Sequence, residues 1–190
     1  MSRLLSWPPA ARVAFFVAGV LIWTAATAGA QAPILVNVAT DGGPANKRAV
    51  GAVITPDGRF VAFESAASNL VSGDTNNERD VFVRDLTTGT TSRVSVTSAG
   101  TQGIGGSVSC TISDDGMVVA FLSWAALVDE DTDAAPDIYV HDRTTARTTR
   151  ELPVSDVNTT KFQLSGDGRY IVFTSTAGTL VAGDTNGVSD

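Results

Sequence analysis

The phrase Ile54-Thr55-Pro56-Asp57-Gly58-Arg59-Phe60-Val61-Ala62-Phe63 occurs in three versions within a chain of 190 residues. It returns as Ile112-Ser113-Asp114-Asp115-Gly116-Met117-Val118-Val119-Ala120-Phe121, then as Leu164-Ser165-Gly166-Asp167-Gly168-Arg169-Tyr170-Ile171-Val172-Phe173. The Asp-Gly pairs are 58 and then 52 residues apart. A second marker keeps step: Asp74-Thr75-Asn76 precedes Asp80, Asp131-Thr132-Asp133 precedes Asp137, and Asp184-Thr185-Asn186 precedes Asp190. A third occurs twice, as Asp80-Val81-Phe82-Val83-Arg84-Asp85 and Asp137-Ile138-Tyr139-Val140-His141-Asp142. Markers in constant order predict one supersecondary unit repeated in tandem, which says much about fold and little about ligand.

The unit reads as strands and turns. Its apolar runs are short, rich in Val, Ile and Phe, and bounded by Gly, Asp, Asn and Thr. In the first unit the strands are expected at Ala52–Thr55, Phe60–Ser65, Val81–Asp85 and Ser92–Val96. Asp57-Gly58 predicts a tight primed hairpin turn, and Thr88-Gly89 another. Val94-Ser95-Val96 alternates as a half-buried outer strand would. Four antiparallel strands in roughly 40–60 residues is the size of one propeller blade.

The expected fold is therefore all-β: a partial β-propeller of four-stranded antiparallel blades, about two and a half of them. Val36-Asn37-Val38 matches Val94-Ser95-Val96, so an outer strand (34–39) precedes the first blade (50–97). A second blade (108–154) and a partial third (161–190) follow. The unit resembles the TolB-type β-propeller repeat, whose Ser/Thr-Pro-Asp-Gly-Arg-Tyr/Phe-Val-Ala-Phe signature Thr55 to Phe63 carries in full. The second unit departs from it at Asp114 and Met117, the third at Gly166. The resemblance covers Val36 to Asp190 and implies a ring that is often six-bladed and commonly serves as a periplasmic interaction platform. A chain with fewer blades reads as part of a longer protein, or as one that self-associates through an open blade edge.

Residues 1–30 read as a secretory leader. Arg3 and Arg12 stand in a start region without acids, Val13 to Ala28 is nearly all apolar, and Ala28-Gly29-Ala30 fits a cleavage site. The expected location is periplasmic or secreted, with residues 31–190 as the mature domain and no membrane association after cleavage. Removal of the leader leaves 11 basic residues against 20 acids, a net charge of −9. Such a surface repels nucleic acid. The single cysteine, Cys110, reads as buried filler on a first strand.

No catalytic constellation is expected. The one histidine, His141, aligns with Arg84 and reads as a solvated strand position; no G-x-S-x-G elbow is present. Zinc and cysteine-protease patterns fail for want of ligands. The acidic loop is the one candidate for specific chemistry: Asp74, Asn76 and Asp80; Asp131, Asp133 and Asp137; Asp184, Asn186 and Asp190. Oxygen ligands at alternate positions followed by a later carboxylate suit Ca²⁺. The competing reading is that Asp and Asn cap turns by bonding nearby backbone N–H groups. The recurring Phe60, Phe63, Phe121, Tyr170 and Phe173 read as packing between blades, and Leu70-Val71 as a tuck for the acidic loop. The functional expectation is a non-enzymatic exported scaffold for a protein or glycan partner, with a propeller attached to a hydrolase or peptidase, or a calcium-binding repeat protein, as alternatives.

Overall fold

The computed structural model describes residues 33–152 and 161–175, with the backbone alone of two short N-terminal strands, β1 (Val13–Phe16) and β2 (Gly19–Ile22). Asp184, Asn186 and Asp190, with the expected cleavage site at Ala28-Gly29-Ala30, lie outside the described residues. Every regular element described is a strand. No helix there is long and apolar enough to cross a membrane.

The first blade is the sheet β4 (Ala49–Ile54), β5 (Phe60–Ser65), β6 (Asp80–Asp85) and β7 (Thr90–Arg93), antiparallel and in sequence order. The second repeats it with β8 (Ser107–Ile112), β9 (Val118–Ser123), β10 (Asp137–Asp142) and β11 (Arg147–Leu152). The third begins with β12 (Phe162–Leu164) and β13 (Ile171–Phe173). Ahead of them, β3 (Ile34–Leu35) pairs with β2 through Leu21↔Leu35 and Ile22↔Ile34. The offset of 58 survives in detail, because the bridge Val38↔Pro44 recurs as Val96↔Gln102.

Two expected details differ. Like Thr88-Gly89, where only Gly89 is left-handed (φ 68°), the Asp57-Gly58 connection is not a two-residue primed turn, which needs positive φ at the first of its central residues. Only Gly58 is left-handed (φ 74°), and its N–H closes onto the Thr55 C=O at 2.8 Å. Asp57 Oδ1 accepts from the Thr55 hydroxyl and from the Arg59 N–H at 3.0 Å, and Asp115 and Asp167 repeat both contacts. The hydroxyl bond holds each of these carboxyls below its usual range. The second difference is at Val94-Ser95-Val96, which lies beyond the end of β7 and is buried throughout instead of alternating. The Val94 N–H still reaches the Val81 C=O at 2.9 Å, and Ser95 is bonded to Asp80.

Packing follows the period-two rule. Val61, Phe63 and Phe82 point to one side of the first blade and pack with Val36. Phe60, Ala62, Val81 and Val83 point to the other, against Val119, Phe121 and Tyr139 of the second blade. Leu122 and Ile138 then face Phe162, Ile171 and Phe173 of the third. Phe63, Phe121 and Phe173 thus each face the unit before their own. Burying each aromatic completely contributes about 1.5–3 kcal/mol. Tyr170 departs from its expected packing role: it is 65% exposed, whereas its counterpart Phe60 lies under the next blade.

The first strand of blade 2, β8, adjoins both β4 and β12. Both β4 and β8 bulge, at Gly51 (φ 60°) and Ser109 (φ 56°). At Gly51 a side chain would collide with the Glu64 carboxylate, which reaches over to accept the Ser109 N–H at 2.7 Å.

Candidate functional site

The acidic loops of blades 1 and 2 lie between the second and third strands, that of blade 1 beside the linker that leads to blade 2. In blade 1 the two are cross-braced: the Thr75 N–H donates to Gln102 Oε1 at 3.1 Å, and Asn76 Nδ2 donates to the Gly103 C=O at 3.2 Å. Leu70 is buried below, as expected, with Val71 packed beside it.

The structure does bring Asp74, Asn76 and Asp80 together, around a guanidinium. Arg93 Nη1 lies 3.6 Å from Asp74 Oδ1 and 3.5 Å from Asp80 Oδ2, and Nη2 donates to the Gly73 C=O at 3.3 Å. Neutral donors complete the shell. Ser95 Oγ donates to Asp80 Oδ1 at 2.7 Å, Asn76 Nδ2 to Asp80 Oδ2 at 3.4 Å, and Gln102 Nε2 to Asp74 Oδ1 at 3.4 Å. Asp74 Oδ2 is buried without a hydrogen-bond partner among the described residues. Burial raises the pKa of both carboxyls; Arg93 opposes it at each, with Gln102 at Asp74 and Ser95 at Asp80.

Blade 2 repeats the plan with more charge. Asp131, Asp133 and Asp137 offer oxygens all within 4.8 Å of one another. Arg150 sits among them: Nε is 2.7 Å from Asp137 Oδ2, and Nη2 is 3.3 Å from Asp133 Oδ2 and 3.8 Å from Asp131 Oδ1. Its Nη1 donates to the Glu130 C=O at 3.2 Å. The Tyr139 hydroxyl donates to Asp131 Oδ2 and accepts the Leu127 N–H at 3.3 Å. Burial, then that carboxylate, raises the Tyr139 pKa.

Sequence reasoning missed the two arginines. Each follows the last Asp of its loop by thirteen residues and stands opposite the aromatic of the third strand, Arg93↔Phe82 and Arg150↔Tyr139. That shared spacing was the available signal. A guanidinium presents five N–H donors in a rigid plane, so one side chain can serve several carboxylates. Chemically each loop is a buried ion cluster that fixes the loop to the outer strand of its own blade. In blade 2 it also offers three carboxylates to a cation.

The one histidine and the one cysteine are both engaged. His141 is buried, not solvated: its Nδ1 is 2.9 Å from Thr148 Oγ1, which donates to the Val96 C=O at 2.6 Å. The linker from blade 1 covers this position, and burial lowers the imidazole pKa. Cys110 is buried as expected, with Sγ 3.4 Å from the Gly51 C=O, and burial pushes its thiol up to about 12.

No family profile matches this chain, and no curated protein matches it. Solved structures do. TolB from Acinetobacter baumannii aligns over 94% of this chain and 40% of its own length, with 23% identity and a TM-score of 0.52. The tricorn protease aligns over 87% of this chain and 14% of its own length, with 13% identity and the same TM-score of 0.52. This chain therefore spans less than half the length of each of these two structures. At these identities the likeness is one of fold: the chain is a partial β-propeller.

Proposed function

We propose that the chain is an exported, non-enzymatic propeller scaffold whose long-loop end contacts a protein or glycan. One observation carries this reading. Ile104 and Trp124 are 92% and 47% exposed at the loop end of a stack whose central strands are buried on both faces. They are held in place there, because the Trp124 N–H donates to the Gly106 C=O at 3.0 Å. Apolar groups exposed on a braced loop favour contact with a partner. A glycan panel and chemical crosslinking, each run with the full chain and with Trp124→Ala and Ile104→Ser, test the reading. Reduced binding by both variants is expected, and equal binding would remove it. The leader reading supports export; a phosphatase active only outside the cytoplasm, fused after residue 30, should become active.

The likeness to the tricorn protease supports a second reading, a propeller attached to a hydrolase domain. Sequencing the gene beyond codon 190 separates the two: a nucleophile elbow there favours the enzyme, and further blades favour the scaffold.

The three carboxylates of blade 2 support a third, Ca²⁺ binding at Asp131, Asp133 and Asp137. One guanidinium against three carboxylates leaves negative charge over, and the ion would have to displace Arg150. Asp184, Asn186 and Asp190 belong to the same reading by their sequence alone. Heat on calorimetric titration with Ca²⁺ and a raised melting temperature are expected; neither at millimolar Ca²⁺ removes it.

A further inference from the structure

Three cations surround one recess in blade 1, and the repeat does not require them. Lys47, Arg48 and Arg79, with Val50 and Ala66, line a recess of about 350 Å³. Lys47 and Arg48 lead into β4 and are exposed; Arg79 leads into β6 and is half-buried. The corresponding positions of blade 2 hold Gly105, Gly106 and Pro136, with Trp124 in place of Ala66. Blade 2 nevertheless forms the same four-stranded sheet. A residue the scaffold needs recurs, as Asp80 does in Asp137 and Arg93 in Arg150. The three cations do not recur, so blade geometry does not account for them.

Their neutralisation is incomplete. Arg79 Nη1 is 3.3 Å from Glu64 Oε2, while the other oxygen of that carboxylate is taken by the Ser109 N–H at 2.7 Å. Glu64 is itself unrepeated, because Leu122 and Thr174 stand in its place. Lys47 feels the field of Asp74, which is already engaged by Arg93. Among the described residues Lys47 and Arg48 make no ion pair. Gathering like charges is unfavourable unless an anion joins them, and this gathering stands in a chain of net charge −7.

We propose that this recess is a binding site for a monoanionic carboxylate, borne on a peptide chain end or on an acidic sugar. Arg48 supplies a free planar fork of the kind that grips a carboxylate through two parallel N–H bonds. Arg79, steadied by Glu64, supplies a second, and Lys47 a mobile point charge. Val50 and Ala66 offer apolar surface to the carbon beside the carboxylate. Glu64 and Asp74 lower the local positive charge, which favours a single negative charge over a phosphate dianion. The recess shares no lining residue with the Trp124 and Ile104 surface, and the proposal stands whether or not that surface binds a partner.

The test is calorimetric titration of the full chain with four probes: a short neutral peptide ending in a free carboxylate, the same peptide amidated, glucuronate, and inorganic phosphate. The free-acid peptide or glucuronate should bind, and whichever binds tighter identifies the source. If the peptide is the ligand, amidation should weaken it about 10-fold or more, the usual worth of a charge-assisted hydrogen-bond pair. The double variant Lys47→Gln/Arg48→Gln, whose exposed side chains leave the thermal melt unchanged, should weaken binding at least as much. Glu64→Gln should strengthen it by freeing the charge of Arg79. Binding of neither carboxylate, equal binding of acid and amide with no glucuronate binding, tighter binding of phosphate, or indifference to Lys47→Gln/Arg48→Gln would each overturn the proposal.

Discussion

Blade 1 and blade 2 solve one problem in two ways. Each must hold a loop of buried aspartates against its own outer strand, and each puts an arginine at the same register of the fourth strand. Blade 1 has two carboxylates and surrounds them with neutral donors from Ser95, Asn76 and Gln102. Blade 2 has three, leans harder on its guanidinium, and recruits the Tyr139 hydroxyl where blade 1 has Phe82. The difference separates what the repeat requires from what it tolerates. The Asp-to-Arg connection is required, and the rest of the shell can be rebuilt around it.

The largest effect should come from removing the guanidiniums. Arg150→Met should cost about 3–5 kcal/mol, the usual penalty for stranding buried charge, because Asp137 is fully buried and Asp131 nearly so. Arg93→Met should cost about 1–2 kcal/mol less, since the neutral donors of blade 1 still reach Asp74 and Asp80. Urea denaturation of both variants checks the order, and equal losses would break the comparison. The pH dependence sharpens it. Burial raises the pKa of Asp74 and Asp80, so the folded chain holds their protons more tightly than the unfolded chain. Their contribution is most favourable below about pH 4, the ordinary aspartate range, and is lost as pH rises through the raised values. Arg93 offsets that loss. Arg93→Met should therefore destabilise more at pH 7 than at pH 4, and a loss independent of pH would show that Arg93 acts through packing.

How much of this was legible in the sequence depends on how local each cause is. The places of the Asp-Gly turns, the alternation through Val61 and Phe63, and the tuck of Leu70 are set within a few residues and are readable from pattern, although the type of the turns is not. The residues of the acidic loops were readable too, but not what sits among them. An arginine on an outer strand looks like a solvated position, and only the return of the third strand beside it turns Arg93 and Arg150 inward. His141 was misread for a similar reason: its neighbour Thr148 is held by Val96 and Ser98 of the linker, 52 and 50 residues before it. Tyr170 erred in the opposite direction, because its burial would need a neighbour that the described residues do not supply.

A smaller effect isolates the hydroxyl that distinguishes the blades. Tyr139→Phe gives blade 2 the aromatic of blade 1 and removes the donor to Asp131 Oδ2 and the acceptor of the Leu127 N–H. A hydrogen bond to a buried charge contributes about 1.5–3 kcal/mol, so a loss in that range is expected on thermal or urea unfolding. No change would mean that Arg150 alone satisfies Asp131.

The smallest effect is the reciprocal change, and its sign is the informative part. Phe82 stacks on Phe63 at 5.7 Å between ring centroids, as Tyr139 stacks on Phe121 at 6.1 Å, so the two rings are oriented alike. In blade 2 the ring carries its hydroxyl to Asp131; the counterpart of Asp131 in blade 1 is Asp74, whose Oδ2 is buried and lacks a hydrogen-bond partner. Phe82→Tyr would place a donor where that acceptor waits. The gain from the new bond, about 1 kcal/mol, works against the cost of fitting one more oxygen into a filled core, typically about 1–3 kcal/mol. If the blades are interchangeable in shape, the bond offsets the crowding, and the urea midpoint should stay level or rise slightly. A fall of more than about 2 kcal/mol would mean that blade 1 is closed around phenylalanine, and that its neutral donors are a fixed alternative to the hydroxyl.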